Sequence, residues 1–184
     1  TLPFTRGLAG PMDFTPGTFN FNNTATPGTR PQTTIAKQLA LAVVIYSPVV
    51  MSSDNVENYV GRPEFEFLKR CPTNWARTVF PEARIGEYVT VARKERDGEN
   101  WYLGSITNAN PRDSEVKLDF LDPGRTYTAR VFADGAKADY KTNPYPVAIS
   151  DRNVTADETL RLHLAPGGGA AVILTPVGEN LAKR

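Results

Sequence analysis

The chain has 184 residues, 40% of them hydrophobic, which is apolar material for one sizeable core or two small ones. Its 21 lysines and arginines nearly cancel its 20 aspartates and glutamates, and no basic cluster is interleaved with aromatics, so nothing marks a nucleic-acid surface. One cysteine (Cys71) and one histidine (His163) exclude an internal disulfide and a zinc site of the usual ligand types, and the longest apolar run, residues 39–46, falls far short of the ~18 needed to cross a bilayer as a helix.

Glycine and proline are frequent, at 14 and 15 residues, which favours turns and short elements over long helices. The chain opens Thr1-Leu2-Pro3-Phe4, with neither an initiator methionine nor a leader, and reads as the continuation of a longer polypeptide. Residues 1–32 are rich in proline, glycine and asparagine and predict extended backbone and loop. A helix follows over 33–47: Thr33 or Thr34 can cap it, its alanines favour it, and residues 39–46 are apolar on every face, so it must be buried all round. A second helix is signalled at 63–70, with Pro63 at its first position, Glu64 and Glu66 in its first turn and Lys69-Arg70 in its last.

From residue 85 onward the period becomes two. Strands are predicted over 85–94, 101–107, 114–121, 127–133, 147–150, 159–164 and 170–175, with turn chemistry at Asp97-Gly98, Asp122-Pro123-Gly124 and Asp134-Gly135. Val116, Leu118 and Phe120 alternate with charged residues, as do Leu160, Leu162 and Leu164, so one face of these strands is wet. About seven strands in about 90 residues predict an antiparallel β-sandwich. The composition thus changes near residue 84, and the buried helix before that point lacks an adequate partner within its own half.

Little in this sequence has the spacing that chemistry needs. His163 lies on the polar side of a leucine-bearing strand and reads as solvent-facing. Glu64 and Glu66, two apart on a helix, do not face each other and read as surface charges. Gly167-Gly168-Gly169 precedes a strand rather than a helix, which makes it a hairpin turn and not a phosphate loop. No EF-hand spacing occurs. The sequons Asn22-Asn23-Thr24 and Asn153-Val154-Thr155 carry little weight. Trp101, Tyr102 and Tyr145 have the chemistry of sugar platforms, but burial of Trp101 in the sandwich core is the stronger expectation. Asp13, at the end of a short apolar stretch, has the placement of an acid at the carboxyl end of a barrel strand, or of a carboxylate that orders the Thr15-Pro16-Gly17 turn.

Leu2-Pro3-Phe4-Thr5-Arg6 followed by Ala9-Gly10-Pro11-Met12-Asp13-Phe14-Thr15-Pro16-Gly17 resembles the last-strand region of glycoside hydrolase family 97. Val91-Ala92-Arg93, Trp101-Tyr102-Leu103-Gly104-Ser105-Ile106-Thr107-Asn108 and Leu164-Ala165-Pro166-Gly167-Gly168-Gly169 extend the resemblance over nearly the whole chain. Met51-Ser52-Ser53-Asp54 departs from it, standing where many relatives are expected to have a glutamine-containing stretch.

The resemblance implies a mainly β chain: a C-terminal antiparallel β-sandwich (85–184) preceded by an α-containing remnant of a (β/α)8 barrel (1–84). It also implies a parent enzyme that hydrolyses α-glucosides or α-galactosides, binds calcium, and is periplasmic or secreted. The family's catalytic carboxylates and calcium ligands precede the Leu-Pro-Phe-Thr-Arg motif, so no catalytic or metal-binding residue carries over and no cofactor is expected in this chain. Arg6, Asp13 and Phe14 are the candidate substrate-binding residues. The expected partners are the rest of the parent polypeptide, an α-linked oligosaccharide, and further copies in a homo-oligomer. The alternative is a non-catalytic carbohydrate-binding or oligomerisation module.

Overall fold

A computed structural model describes residues 1–22 and 29–178. In it the alternating sequence from residue 75 onward forms β1 (Trp75–Arg84), β2 (Tyr88–Glu95), β3 (Trp101–Thr107), β4 (Arg112–Lys117), β5 (Tyr127–Asp134), β6 (Val147–Val154), β7 (Thr159–Leu164) and β8 (Gly169–Pro176). Six of these strands make one antiparallel sheet in the order β1-β2-β3-β8-β5-β6, while β4 pairs with β7 in a second. In β4 and β7 the alternation decides the layering: Ser114, Val116, Leu160, Leu162 and Leu164 are buried, and Glu115, Lys117, Arg161 and His163 face water. The buried set packs on Trp101, Leu103, Ala129, Val172 and Leu174 of the large sheet. Trp101, 1% exposed, is thus a core residue rather than a sugar platform.

The opposite face of the large sheet is covered by helix. α1 (Ile35–Val44) begins at Thr34, whose hydroxyl accepts the Lys37 N–H at 3.2 Å. Ile35, Leu39, Ala40 and Val43 then pack with Tyr102, Phe132, Ala171 and Ile173. α2 (Phe65–Arg70) adds Phe67, whose ring meets Tyr102 and Phe132 edge-on at 6.2 and 5.6 Å. Phe19, Phe21 and Tyr59 extend the same cluster.

These contacts correct three expectations. The neighbour that the all-apolar helix requires is the sandwich of its own chain, which periodicity could not pair with it because the strands it packs on, β2, β3, β5 and β8, lie far from it in sequence. The sheet begins at Trp75, so the composition change at 84 falls at the end of a strand. Pro81 and register breaks between Trp75 and Arg77 and between Val79 and Glu82 had erased the alternation of β1. Gly167-Gly168-Gly169 is not a hairpin turn: β7 and β8 belong to different sheets, and the loop crosses between them.

Candidate functional site

Two stretches of the first 60 residues lie side by side as a parallel pair, bridged at Phe14 and Val50 and joined in sequence through α1. Met12 N donates to Tyr46 O at 3.3 Å and aligns the entry. Met12 and Phe14 turn towards α1, packing against the cluster of Val44, Ile45, Val89 and Val91. Side chains alternate along an extended segment, so Asp13 faces the other way and is exposed. Val49 and Met51 flank Val50 and are exposed too, at 63% and 53%.

The three candidate residues therefore separate. Arg6 spends its guanidinium on the Gly10 and Pro11 carbonyls at 3.3 and 3.4 Å, and so holds the turn that leads into the strand. Asp13 is open. Phe14 is half-buried, packed against the cluster of Val44, Ile45, Val89 and Val91.

The segment that leaves this strand is pinned by side chains from elsewhere. Gln38 Oε1 accepts from Gly17 N (2.9 Å) and Thr18 N (3.3 Å). Asp54 Oδ2 accepts from Phe19 N (2.7 Å) and Asn20 N (2.6 Å), and Tyr145 Oη from Phe21 N (3.2 Å). Tyr59 donates its hydroxyl to Gly17 O at 2.8 Å and receives Asp54 N at 3.0 Å. Partial burial works to raise the Asp54 pKa, but donors from Asn20, Asn58, Phe19 and Asn55 outweigh it and hold the carboxyl below its ordinary value. Beside this network an open hollow of about 730 Å³ is lined by Ser52, Asp54, Tyr59, Arg62, Phe65 and Lys69. Gln38, Asp54 and Tyr59 belong to no catalytic spacing, and sequence reasoning missed them; Tyr145, named there only as a sugar platform, is half-buried and acts here through its hydroxyl. Asp54-Asn55 ahead of a helical turn was the one local signal available.

A second buried polar group sits where the crossover loop passes α1. Asp134 Oδ2 accepts from Ala165 N and Gly169 N, both at 2.8 Å, while its Oδ1 has no hydrogen-bond partner among the described residues. Burial raises its pKa, countered by the Thr34 hydroxyl and the two backbone donors. A raised folded pKa means that this group's contribution to stability is full below pH ~3.8 and falls as pH rises through the folded value. Asp134→Asn keeps an acceptor for both N–H groups and is never charged. Its thermal midpoint is expected to fall less than the parent's between pH 4 and 7, as scanning calorimetry across that range would show; parallel curves would refute the assignment.

The remaining candidates are structural. Glu64 is not a surface charge: it is buried and paired with Arg62 at 2.7 Å, while Glu66 pairs with Arg130 at 2.8 Å. His163 is exposed and pairs with Asp113 at 2.7 Å. Burial pushes the Cys71 thiol up to about 12, which leaves it un-ionised at neutral pH. Asn153 stands exposed on β6, its Oδ1 accepting from Thr128 at 3.3 Å; the other sequon extends outside the described residues. Among the described residues, no three His, Cys, Asp or Glu side chains gather that could hold a metal, and no helix is long and apolar enough to cross a membrane.

The described residues thus form an antiparallel two-sheet sandwich with helices on one face and polar networks that fix loops. Residues 74–175 match the model of the glycosyl-hydrolase 97 C-terminal, oligomerisation family, and the chain belongs to that family. It is 36% identical to a retaining alpha-galactosidase of Bacteroides thetaiotaomicron over 93% of its length, and 32% identical to a probable retaining alpha-galactosidase of Streptomyces bingchenggensis over 94%. It covers only 26% and 25% of those proteins. A glycoside hydrolase family 97 enzyme from Pseudoalteromonas sp. strain K8, solved with panose, is 44% identical over 96% of the chain with a TM-score of 0.90; the chain covers 28% of it. A beta-arabinopyranosidase structure is 27% identical over 91%, with a TM-score of 0.74 and 26% of its own length covered.

Proposed function

We propose that this chain is the C-terminal quarter of an α-glycosidase: the residues before Trp75 complete a (β/α)8 barrel begun upstream, and the sandwich is the scaffold through which copies associate. The observation that carries the reading is the parallel bridge between Phe14 and Val50 across α1, since strand–helix–strand is the repeating unit of such a barrel. A two-strand parallel pair standing alone has two open edges, and parallel strands occur almost only inside larger covered sheets. Exposed Val49 and Met51 are suited to a barrel interior, as is Asp13, exposed on the neighbouring stretch.

On this reading Asp13 contacts substrate at the barrel mouth and Arg6 holds the approach to it. The two carboxyl groups that cleave a glycosidic bond, one protonating the leaving oxygen and one acting as base or nucleophile, belong to the upstream part. The expected calcium ion belongs there as well. The substrate is an α-linked glucoside or galactoside, in keeping with the panose complex of one relative and the α-galactosidase names of two others. Association through the sandwich follows the description of the family, and the enzyme is periplasmic or secreted.

The test compares the 184-residue chain with the full-length protein on aryl α-glucoside and aryl α-galactoside, with and without calcium. The full-length protein is expected to turn one of them over and the chain alone neither. Turnover by the chain alone, or by neither protein, overturns the proposal.

A further inference from the structure

Residues 15–22 have no helix or strand of their own beyond the bridge at Phe14, yet five consecutive backbone N–H groups, from Gly17 to Phe21, are each taken by a side chain from another segment. The three acceptors come from three parts of the chain: Gln38 from α1, Asp54 from the loop after the second parallel stretch, and Tyr145 from the sandwich between β5 and β6. A surface loop ordinarily gives such groups to water. Here the backbone donors are consumed inward, while the side chains of Thr15, Asn20 and Asn22 are exposed, with Asn20 Oδ1 accepting from Asn22 N at 2.9 Å and its amide group left to face outward.

The position of this loop gives the arrangement a purpose. It leaves the C-terminal end of the strand at Phe14, and the loop holding Asp54 leaves the C-terminal end of the neighbouring strand at Val50. Ser53 N donates to Pro16 O at 3.0 Å and the Thr18 and Ser53 hydroxyls meet at 2.7 Å, so the two loops run side by side. In an α/β barrel that end carries the substrate mouth. We infer that residues 15–22 form a preorganised rim that contacts the hydroxyl groups of the bound saccharide, with Gln38, Asp54 and Tyr145 as the positioning residues that fix it. The inference rests on the proposed function and deepens it. Asn and Thr side chains on a fixed backbone donate to and accept from sugar hydroxyls, and a loop ordered beforehand loses no entropy when saccharide binds. A rim of this kind acts on substrate binding and leaves the bond-breaking carboxylates untouched.

Steady-state kinetics of the full-length protein on an α-linked trisaccharide, with the thermal midpoint of every variant measured alongside, test this. Asp54→Ala is expected to raise KM about tenfold while kcat changes less than about threefold. Asp54→Asn, which keeps a carbonyl oxygen for Phe19 N and Asn20 N, is expected to recover part of that loss. Tyr145→Phe removes a single hydroxyl, shifts KM in the same direction, and decides the matter if Asp54→Ala does not fold. A folded variant with a lowered thermal midpoint and the parent's KM shows that these contacts hold only the fold, and overturns the inference. If the unmodified full-length protein turns over no α-glycoside, the proposed function itself fails and takes the inference with it.

Discussion

Gly104→Val is expected to lower the thermal midpoint of this chain by about 10 °C, from an overpacking cost of about 3 kcal/mol or more. Gly104 lies in β3, paired with Val91 on one side and Ala171 on the other, with its missing side chain aimed at α1. A Cβ there would stand 2.5 Å from the Ala40 carbonyl oxygen and 3.1 Å from Val43 and Val44 side-chain carbons. The nearest obstacle is helix backbone, which no rotamer change moves, so the helix must lift from the sheet. Lifting it opens the layer that buries Ile35, Leu39, Tyr102, Phe132 and Ile173. Gly124→Ala supplies the contrast: its φ is +73° with nothing within 4 Å, so its cost is conformational alone, about 1–2 kcal/mol. Thermal unfolding of the two variants separates contact from conformation, and equal losses would remove the claim that α1 rests on Gly104.

The same glycine shows what was legible in the sequence. Period-two alternation located β3 and β7 to the residue and β5 and β8 to within a residue or so, because their inward side chains are apolar and their outward ones polar or covered by helix. β4 was drawn too long: Leu118, Phe120 and Leu121 remain buried after the strand ends, in a turn closed by Leu121 N to Leu118 O at 2.9 Å, so burial outlasted pairing. β1 was invisible, since Pro81 and two register breaks remove its pattern. The sandwich segments that carried the family resemblance turn out to be contacts between helix and sheet: Gly104 lies under Ala40, Arg93 reaches Val43, and Gly169 lies against Lys37. Their spacing was readable, but their cause was not, because each is one half of a contact whose other half is 50 or more residues away. The pinned loop was hidden for the same reason. Backbone N–H groups leave no trace in a sequence, and the acceptors that take them are an ordinary glutamine, aspartate and tyrosine.

Arg93 provides the second large effect. It is 7% exposed, and no carboxylate among the described residues pairs with its buried charge; burial accordingly lowers its pKa. Its partners are Val43 O, reached by Nε at 2.7 Å, the Thr78 hydroxyl, reached by Nη1 at 2.7 Å, and the Tyr46 ring, 5.4 Å below the guanidinium. Val43 O is one of the last carbonyls of α1, which have no partner within the helix, and a cation at that end also meets the negative pole of the helix dipole. Arg93→Met removes the cost of burying a charge but leaves that carbonyl buried and unpaired, with an expected net loss of about 2–3 kcal/mol. Arg93→Lys should recover less than half of this, because a single ammonium cannot span a helix carbonyl and a hydroxyl on β1 together. Chemical denaturation of the two variants gives the comparison, and a methionine variant as stable as the parent would mean that the carbonyl is not closed by Arg93. Gly104 and Arg93 bear on the same helix, so their losses should fall short of additive when combined: once α1 has lifted from β3, the guanidinium has already lost its carbonyl. That shortfall is what distinguishes a helix seated as one unit on the sheet from two independent contacts, and because α1 also joins the two parallel stretches, the seat sets where the Asp13 strand stands relative to the sandwich.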